Sequence, residues 1–449
     1  MAKTKVAGVI LAAGQGKRFG ADKLLAPLAG RPLAAWVLAA ALASELDLVV
    51  LVARDEVARA LGPGGPRLRV VPNSAPEQGQ ALSLRLGLAS LEPEFSHILF
   101  LLADQPLISP SLIKQFLRLA REGVELAALQ PQSRLRPPAL FGRRYFAELA
   151  DLTGDQGGRS LLERYAEAVR AVKPLEAGQG ADVDRPADLA ALELRLTSPA
   201  GLPACLGLGP AELISLVGAG GKTTLMETLA AVLAQAGARV LCTTTTRIYR
   251  PEGRLLLAAD PERLREAVRA ELEPGSYLTA GAGLEEAPGR QKVKGLAPEA
   301  VDELCAAGLA DYLLVEADGA KGRPLKAPRE HEPVLPSWST MVIGVLGLGG
   351  LGRPATEEHV LALNQFCALT GAAAGQKVTP AHLTALTRHP QGLFKGAPAA
   401  ARRVALLNQA DLPGAAEGAQ EVARLLAGEP GAPRLLLASL QQGRCRFLG

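Results

Sequence analysis

Twice in this chain an apolar, strand-like run breaks into a glycine-rich turn that carries a lysine: "VILAAGQGKRFGADK" near the start and "ISLVGAGGKTTLM" near the middle. In a sheet of parallel strands, ligands bind at such corners, outside the carboxyl ends of the strands. Each corner opens its own alternation of elements. In the first half, apolar runs at 6–11, 48–53, 69–72, 97–102 and 126–130 read as strands, with helical patterns at 32–44, 80–91 and 109–121. In the second, 213–217, 239–242, 312–315, 341–346, 403–407 and 435–438 read as strands and 223–236 as a helix. The rhythm predicts two doubly wound α/β domains with mostly parallel sheets and helices on both faces. At about 100–200 residues per domain, a 449-residue chain has room for them. Proline and glycine punctuate "TSPAGLPACLGLGP", which sets a linker at 197–212 between domains at 1–196 and 213–449. Residues 357–387 read as a helical insertion over the second sheet.

Bulk properties narrow the function classes. A formal charge of +4 gives no electrostatic case for nucleic acid or membrane partners. No apolar run is long enough to span a bilayer. Lys3 and Lys5 before an apolar run ending in "LAAG" imitate a signal peptide, but Lys17, Arg18 and Lys23 follow at once, as they do when a buried strand feeds a loop. The five cysteines are odd in number and scattered, with neither a disulfide framework nor a zinc pattern. Reduced thiols in a cytoplasmic protein are expected.

In the first turn Gly14, Gly16 and Gly20 are spaced G-x-G-x-x-x-G, which is not the dinucleotide fingerprint. Glycines let backbone N–H groups approach phosphate oxygens, and Arg18 and Lys23 can neutralise a triphosphate. Asp104 directly follows an apolar strand, placed to hold Mg²⁺ or to close an Asx turn. Of Asp182 and Asp184, two apart in an extended segment, only one is expected to reach a metal; Asp184 is the choice. Asp182 and Asp188 are then left to cap the helix that begins near Pro186.

"LAAGQGKRFGADKLLAPLAGRPL", "LLADQPLISPSLI", "GDQGGRSLL" and "DVDRPADL" occur in an order that resembles the molybdenum cofactor cytidylyltransferase family, a branch of the MobA-like nucleotidyltransferases. The resemblance implies a Rossmann-like nucleotidyltransferase domain, with CTP and Mg²⁺, that transfers CMP to molybdopterin, the molybdenum cofactor, and releases pyrophosphate. It implies nucleotide binding by Ala12, Ala13, Gly14, Gly16, Gly79 and Ser83, catalysis by Arg18, Lys23, Asp104 and Asp184, and Mg²⁺ on Asp104 and Asp184. "RPPALF" resembles the segment that meets the pterin, although Arg136 and Pro137 depart from the family's usual Gly and His. Asp155, Gly157, Gly158 and Arg159 are expected near the acceptor phosphate. Another phosphorylated acceptor, such as a sugar phosphate, is the alternative.

The second turn, Gly218-x-x-Gly221-Lys222-Thr223, is a shortened phosphate loop. Helix N-terminal N–H groups point at phosphate, with Thr224 in the first helical turn. Lys222 reaches the β and γ oxygens, and the Thr223 hydroxyl faces Mg²⁺. "YLLVEADGAKG" adds Glu316 and Asp318, either able to approach the metal; Asp318 is the choice. Lys321 touches phosphate or pairs with them. In "TTTTR" a hydroxyl such as that of Thr245 binds metal or simply serves strand and cap. "LLNQAD" places Asn408 and Asp411 where GTPases read guanine, with Gln409 in place of the usual lysine.

"VGAGGKTTL", "VEADGAKGRPLKAP", "HEPVLP", "HPQGLFKG" and "LLNQAD" together resemble the YqeC-type accessory proteins of selenium-dependent molybdenum hydroxylases. That implies a P-loop-like maturation domain using GTP or ATP, with a hydroxylase apoprotein as partner. A non-enzymatic, nucleotide-gated chaperone or scaffold is the alternative. His331 and His389 fall in these segments and are left as structural.

Overall fold

A run such as VAGVILA is apolar on both sides because both of its faces are covered. Along Val6–Ala12, Val6, Ile10 and Ala12 enter one core and Val9 the other; along Leu48–Ala53 the residues alternate in the same way. Helices Leu33–Leu42 and Pro110–Arg121 cover the first face, and Gln80–Ala89 and Arg159–Arg164 the second. The computed structural model describes residues 4–448 except 15–18, 20, 21, 63, 176, 177, 288 and 430. It divides into two compact units, Met1–Leu194 with Gly207–Gly209 and Arg195–Leu206 with Pro210–Gly449.

The first unit holds a seven-stranded sheet in the order Leu68–Pro72, Leu48–Ala53, Val6–Ala12, His97–Leu102, Arg136–Gly142, Leu126–Leu129, Arg170–Val172. The sheet is mostly parallel, with one reversed strand. Arg136–Gly142 lies antiparallel to both of its neighbours, and the sequence pattern gave it no strand. The cause is the connection from Leu126–Leu129, which is too short for the dozen or more residues a parallel crossover requires.

The second unit holds a nine-stranded sheet: Leu255–Leu257, Tyr277–Gly281, Val240–Thr244, Tyr312–Glu316, Glu212–Gly218, Met341–Gly347, Arg402–Asn408, Arg434–Ser439, Arg444–Phe447. All pairings are parallel except the last. Leu241, Leu313 and Val315 join the core under helices Pro261–Glu271 and Pro298–Ala306. Val342, Leu346 and Leu407 join that under Pro380–Arg388 and Ala415–Leu426. The expected helical insertion contains helices Leu363–Thr370 and Pro380–Arg388. A separate three-stranded sheet, Arg247–Tyr249, Arg290–Lys294 and Gly283–Ala287, was not legible in the periodicity. Residues 197–212, expected as linker, carry the short helix Leu202–Leu206, with Cys205 and Leu206 buried.

Both sheets grow outward from a central strand. Val6–Ala12 lies between Leu48–Ala53 and His97–Leu102, and Glu212–Gly218 between Tyr312–Glu316 and Met341–Gly347. The glycine turns therefore leave each sheet at its switch point, where a crevice opens beyond the strand ends.

Candidate nucleotide sites

In the first unit, three residues distant in sequence meet at the carboxyl edge of the sheet. Lys23 donates from Nζ to Asp104 Oδ2 at 2.6 Å and to the Val183 carbonyl at 3.1 Å, and lies 3.4 Å from Asp184 Oδ1. Burial works against its charged form, but the carboxylates of Asp104 and Asp184 outweigh that and hold the amine above its usual range. Asp184 is largely exposed, whereas Lys23 is nearly enclosed. Two carboxylates thus converge on one cation.

Asp182 is engaged elsewhere. It accepts from Gln105 Nε2 at 2.8 Å, lies 3.9 Å from Arg136, and is pushed above the ordinary carboxylate range by burial. Gln105 and Arg136 also both donate to the Gly180 carbonyl, and the Val183 amide donates to the Asp104 carbonyl. Asp182 therefore fastens the acidic segment to the sheet, while Asp188 caps, accepting from the Asp184 and Arg185 amides.

Ala12 and Ala13 end the first strand, buried. A side chain at Gly14 would meet nothing within 4 Å, so no protein contact requires glycine there. Gly16 and Arg18 lie outside the described residues. Arg54, which sequence reasoning missed, follows the adjacent parallel strand and pairs with Asp22 at 2.7 Å in the same turn. Its position directly after a strand was the available signal. Gly79 has φ +90°, and a Cβ on it would lie 2.3 Å from the Gly154 carbonyl, so the segments around Gly79 and Asp155 pack together. Ser83 is buried and accepts from Asn73 Nδ2 at 2.9 Å, which turns its hydroxyl to structural use.

In the second unit the turn needs its glycines. Gly218, Gly220 and Gly221 have φ of +90°, +90° and +130°. Side chains there would lie 2.3 Å from the Val345 carbonyl, 2.4 Å from Gly347 Cα and 2.3 Å from Asn408 Nδ2. Helix Lys222–Gln235 starts immediately after the turn. Lys222 is buried, donates to the Gly218 carbonyl at 2.6 Å, and lies 3.2 Å from Asp318 Oδ1 and 3.7 Å from Glu316 Oε1. The two carboxylates outweigh the burial that opposes its charge and hold Lys222 above its usual range. Burial raises Glu316, against the pull of Lys222 and of Thr223, whose hydroxyl donates to Glu316 Oε2 at 2.9 Å.

Asp318 accepts from the Gly218 amide at 3.1 Å and pairs with Lys326 at 3.0 Å; Lys326 in turn donates to Glu332 at 2.8 Å. The result is a buried network of Lys222 and Lys326 against Glu316, Asp318 and Glu332, one carboxylate in excess. Asp318 Oδ1 takes no hydrogen bond although fully enclosed. Sequence reasoning missed Lys326 and Glu332; an ionisable residue inside "PLKAP" and "HEPVLP" was the only hint.

Gly221, Thr223 and Thr224 open onto a cleft of about 1080 Å³, which Asn408, Asp411 and Lys321 also line. Asn408 does not present its amide there: Nδ2 donates to the Gly220 carbonyl at 2.8 Å and Oδ1 accepts the Leu440 amide at 3.1 Å. Asp411 accepts from Ser439. The threonine hydroxyls go to carbonyls: Thr243 to Ala280, Thr244 to Glu316, Thr245 to Val334. His331 lines the cleft, while His389 accepts the Gln391 amide. No helix among the described residues is long and apolar enough to cross a membrane.

A family model described as "MobA-like NTP transferase domain" matches residues 8–169, and one described as "YqeC protein" matches 214–364. The chain is 41% identical over 199 residues to the uncharacterized protein YqeC of Escherichia coli (strain K12), covering 44% of this chain and 75% of that protein. It is 32% identical over 191 residues to the purine catabolism protein PucB of Bacillus subtilis (strain 168), covering 40% and 91%. It is also 37% identical over 130 residues to the 2-C-methyl-D-erythritol 4-phosphate cytidylyltransferase of Synechococcus sp. (strain CC9902), covering 27% and 56%.

Proposed function

For a chain that belongs to the MobA-like NTP transferases through its first half and to the YqeC family through its second, we propose two nucleotide-handling activities on one polypeptide. The first unit, read as Rossmann-like, moves a nucleotidyl group from a nucleoside triphosphate to a phosphorylated acceptor. The observation that carries this is the convergence of Asp104 and Asp184 on Lys23 at the switch point. An acceptor phosphate oxygen forms a bond to the α-phosphorus as the bond to pyrophosphate breaks. Phosphate is already anionic, so no protein nucleophile is needed; the residues align two anions and offset their charge. Lys23 supplies positive charge to the triphosphate, and Arg18 and the turn around Gly14 complete the cradle.

Two carboxylates that already gather around a cation fit Mg²⁺, which takes few protein ligands when phosphates supply the rest. Asp104 and Asp184 would hold it, and it would offset charge on the departing pyrophosphate.

Molybdopterin with CTP as donor is our reading of the substrates, from the run of motifs that ends in "DVDRPADL". A polyol or sugar phosphate acceptor is the second reading, favoured by the similarity to a cytidylyltransferase named for a methylerythritol phosphate. Pyrophosphate release with CTP, GTP and ATP, assayed with molybdopterin and with 2-C-methyl-D-erythritol 4-phosphate and followed by product mass, decides between them. Release with neither acceptor would end both readings.

The second unit, read as P-loop-like, binds GTP or ATP through the turn at Gly218–Gly221 with Lys222 and hydrolyses it in the service of a molybdenum hydroxylase apoprotein. Asp318 and Glu316, with the Thr223 hydroxyl on Glu316, would hold a cation once Lys222, 3.2 Å from Asp318 Oδ1, turns to phosphate. A Lys222→Ala protein that kept full nucleotide turnover would remove this reading. We place both activities in the cytoplasm, in keeping with five free cysteines.

A further inference from the structure

The small sheet of the second unit presents an unusual face to the cleft. Arg247 stands directly opposite Lys294, and Tyr249 opposite Lys292, on paired antiparallel strands; Arg290 shares their side, since alternate residues of a strand point the same way. Like charges set directly opposite destabilise a sheet, and Glu285, opposite Lys292 on the third strand, is the one carboxylate these strands set on this face against four cations. Among the described residues Arg247 has a carboxylate partner, Glu285 at 2.8 Å, and Arg290, Lys292 and Lys294 have none. Ile248 and Val293, on the reverse side, are buried and hold the face in place. Tyr249 is 52% exposed, with the Arg290 guanidinium 5.5 Å and the Lys292 ammonium 5.2 Å from its ring centroid. Arg247, Tyr249, Lys292 and Lys294 line the same cleft as Lys222 and Thr223.

At about 1080 Å³ that cleft reaches the upper end of the roughly 300–1,000 Å³ that holds one small ligand. We propose that it takes a second ligand besides the nucleotide on the glycine turn: a small molecule joining a planar heterocycle to phosphate. Its ring lies on Tyr249 and its phosphate on Lys292, Lys294 and Arg247. Bases and other flat rings stack on tyrosine, and unpaired cations beside the ring match a phosphate tethered to it. A nucleic acid strand is disfavoured because the face is small, lines a cleft, and belongs to a chain of net charge only +4.

The proposal rests on its own residues and on the nucleotide reading only for the word second. The test uses the full-length protein with flavin mononucleotide as fluorescent probe, riboflavin as its phosphate-free control, and a fluorescent ATP analogue to report the turn. Saturable quenching of flavin mononucleotide, weaker for riboflavin, is expected. Tyr249→Ala and Lys292→Ala should each weaken it about tenfold, the order of one lost stacking contact. Excess unlabelled ATP should displace the ATP analogue and leave the flavin signal intact. If the ATP analogue fails to bind wild-type protein while the flavin signal tracks Tyr249, the nucleotide reading falls and this site stands. No flavin binding, binding indifferent to Tyr249 and Lys292, or displacement by an oligothymidylate at lower concentration than by unlabelled flavin mononucleotide overturns it.

Discussion

Asn408 donates its side-chain amide to the Gly220 carbonyl at 2.8 Å, bracing the glycine turn from the strand two places away in the sheet. Its carbonyl oxygen holds the Leu440 amide, so both polar atoms are engaged. Asn408→Ala should therefore cost about 1–3 kcal/mol in stability through the partners it strands. It should weaken ATP and GTP by the same factor. Titration of both nucleotides with the variant checks this; a loss confined to GTP would return Asn408 to base recognition.

Gly220 has φ +90° and backbone 2.4 Å from any added Cβ. Gly220→Ala cannot be absorbed by a side-chain rotation. Loss of most nucleotide affinity in the second unit is expected, with pyrophosphate release by the first unit unchanged. Calorimetry and the transferase assay on one preparation read both.

The buried network makes opposite predictions for its two signs. Lys222→Met leaves Glu316 enclosed without its cation and Asp318 with Lys326 alone, and should destabilise by about 3–5 kcal/mol. Glu316→Gln removes the excess charge. Glu316 is raised by burial in the folded state, so the stability it contributes is present below the ordinary carboxylate range and is lost as pH rises through its folded value. The melting temperature of Glu316→Gln relative to wild type should climb as pH rises above the ordinary glutamate value. A flat difference would contradict the assignment.

Asp104→Asn should lower kcat/KM for nucleotidyl transfer by about 10²–10³, the scale of a lost electrostatic contact to the reacting charge. Asp182→Asn, whose side chain meets Gln105 and Arg136, should act on geometry alone. A loss several-fold smaller, with an unchanged pH profile, separates the positioning role from the charge-bearing one.

The two sheets and their switch-point turns were legible because each buried strand is a short apolar run with a charge or glycine directly behind it. Asp104 could be picked out for the same reason, Lys23 as a cation in the glycine turn, and Asp184 from the acidic segment ahead of Pro186. Arg136–Gly142 escaped because it begins with Arg-Pro-Pro and nothing in the pattern reveals a reversed direction. Ser83 and Asn408 were found as polar residues near the turns, but sequence cannot tell whether a hydroxyl or amide faces ligand or protein. Lys326 and Glu332 were invisible because a buried ion pair is recognised only when both partners are placed. The cationic face on Arg290–Lys294 required the strand register, which short, twisted strands do not announce.

Because Arg136–Gly142 runs backwards, its first residues stand at the rim where the neighbouring strands display their last. The loop that leads into it, residues 130–135, is thereby delivered to the mouth of the first unit on the side away from the Gly14 turn. On the proposed reading, rewriting that loop is expected to alter acceptor choice and leave the turn around Gly14 as it is. Descendants of one ancestral enzyme could exchange acceptors by editing a single connection while keeping their donor.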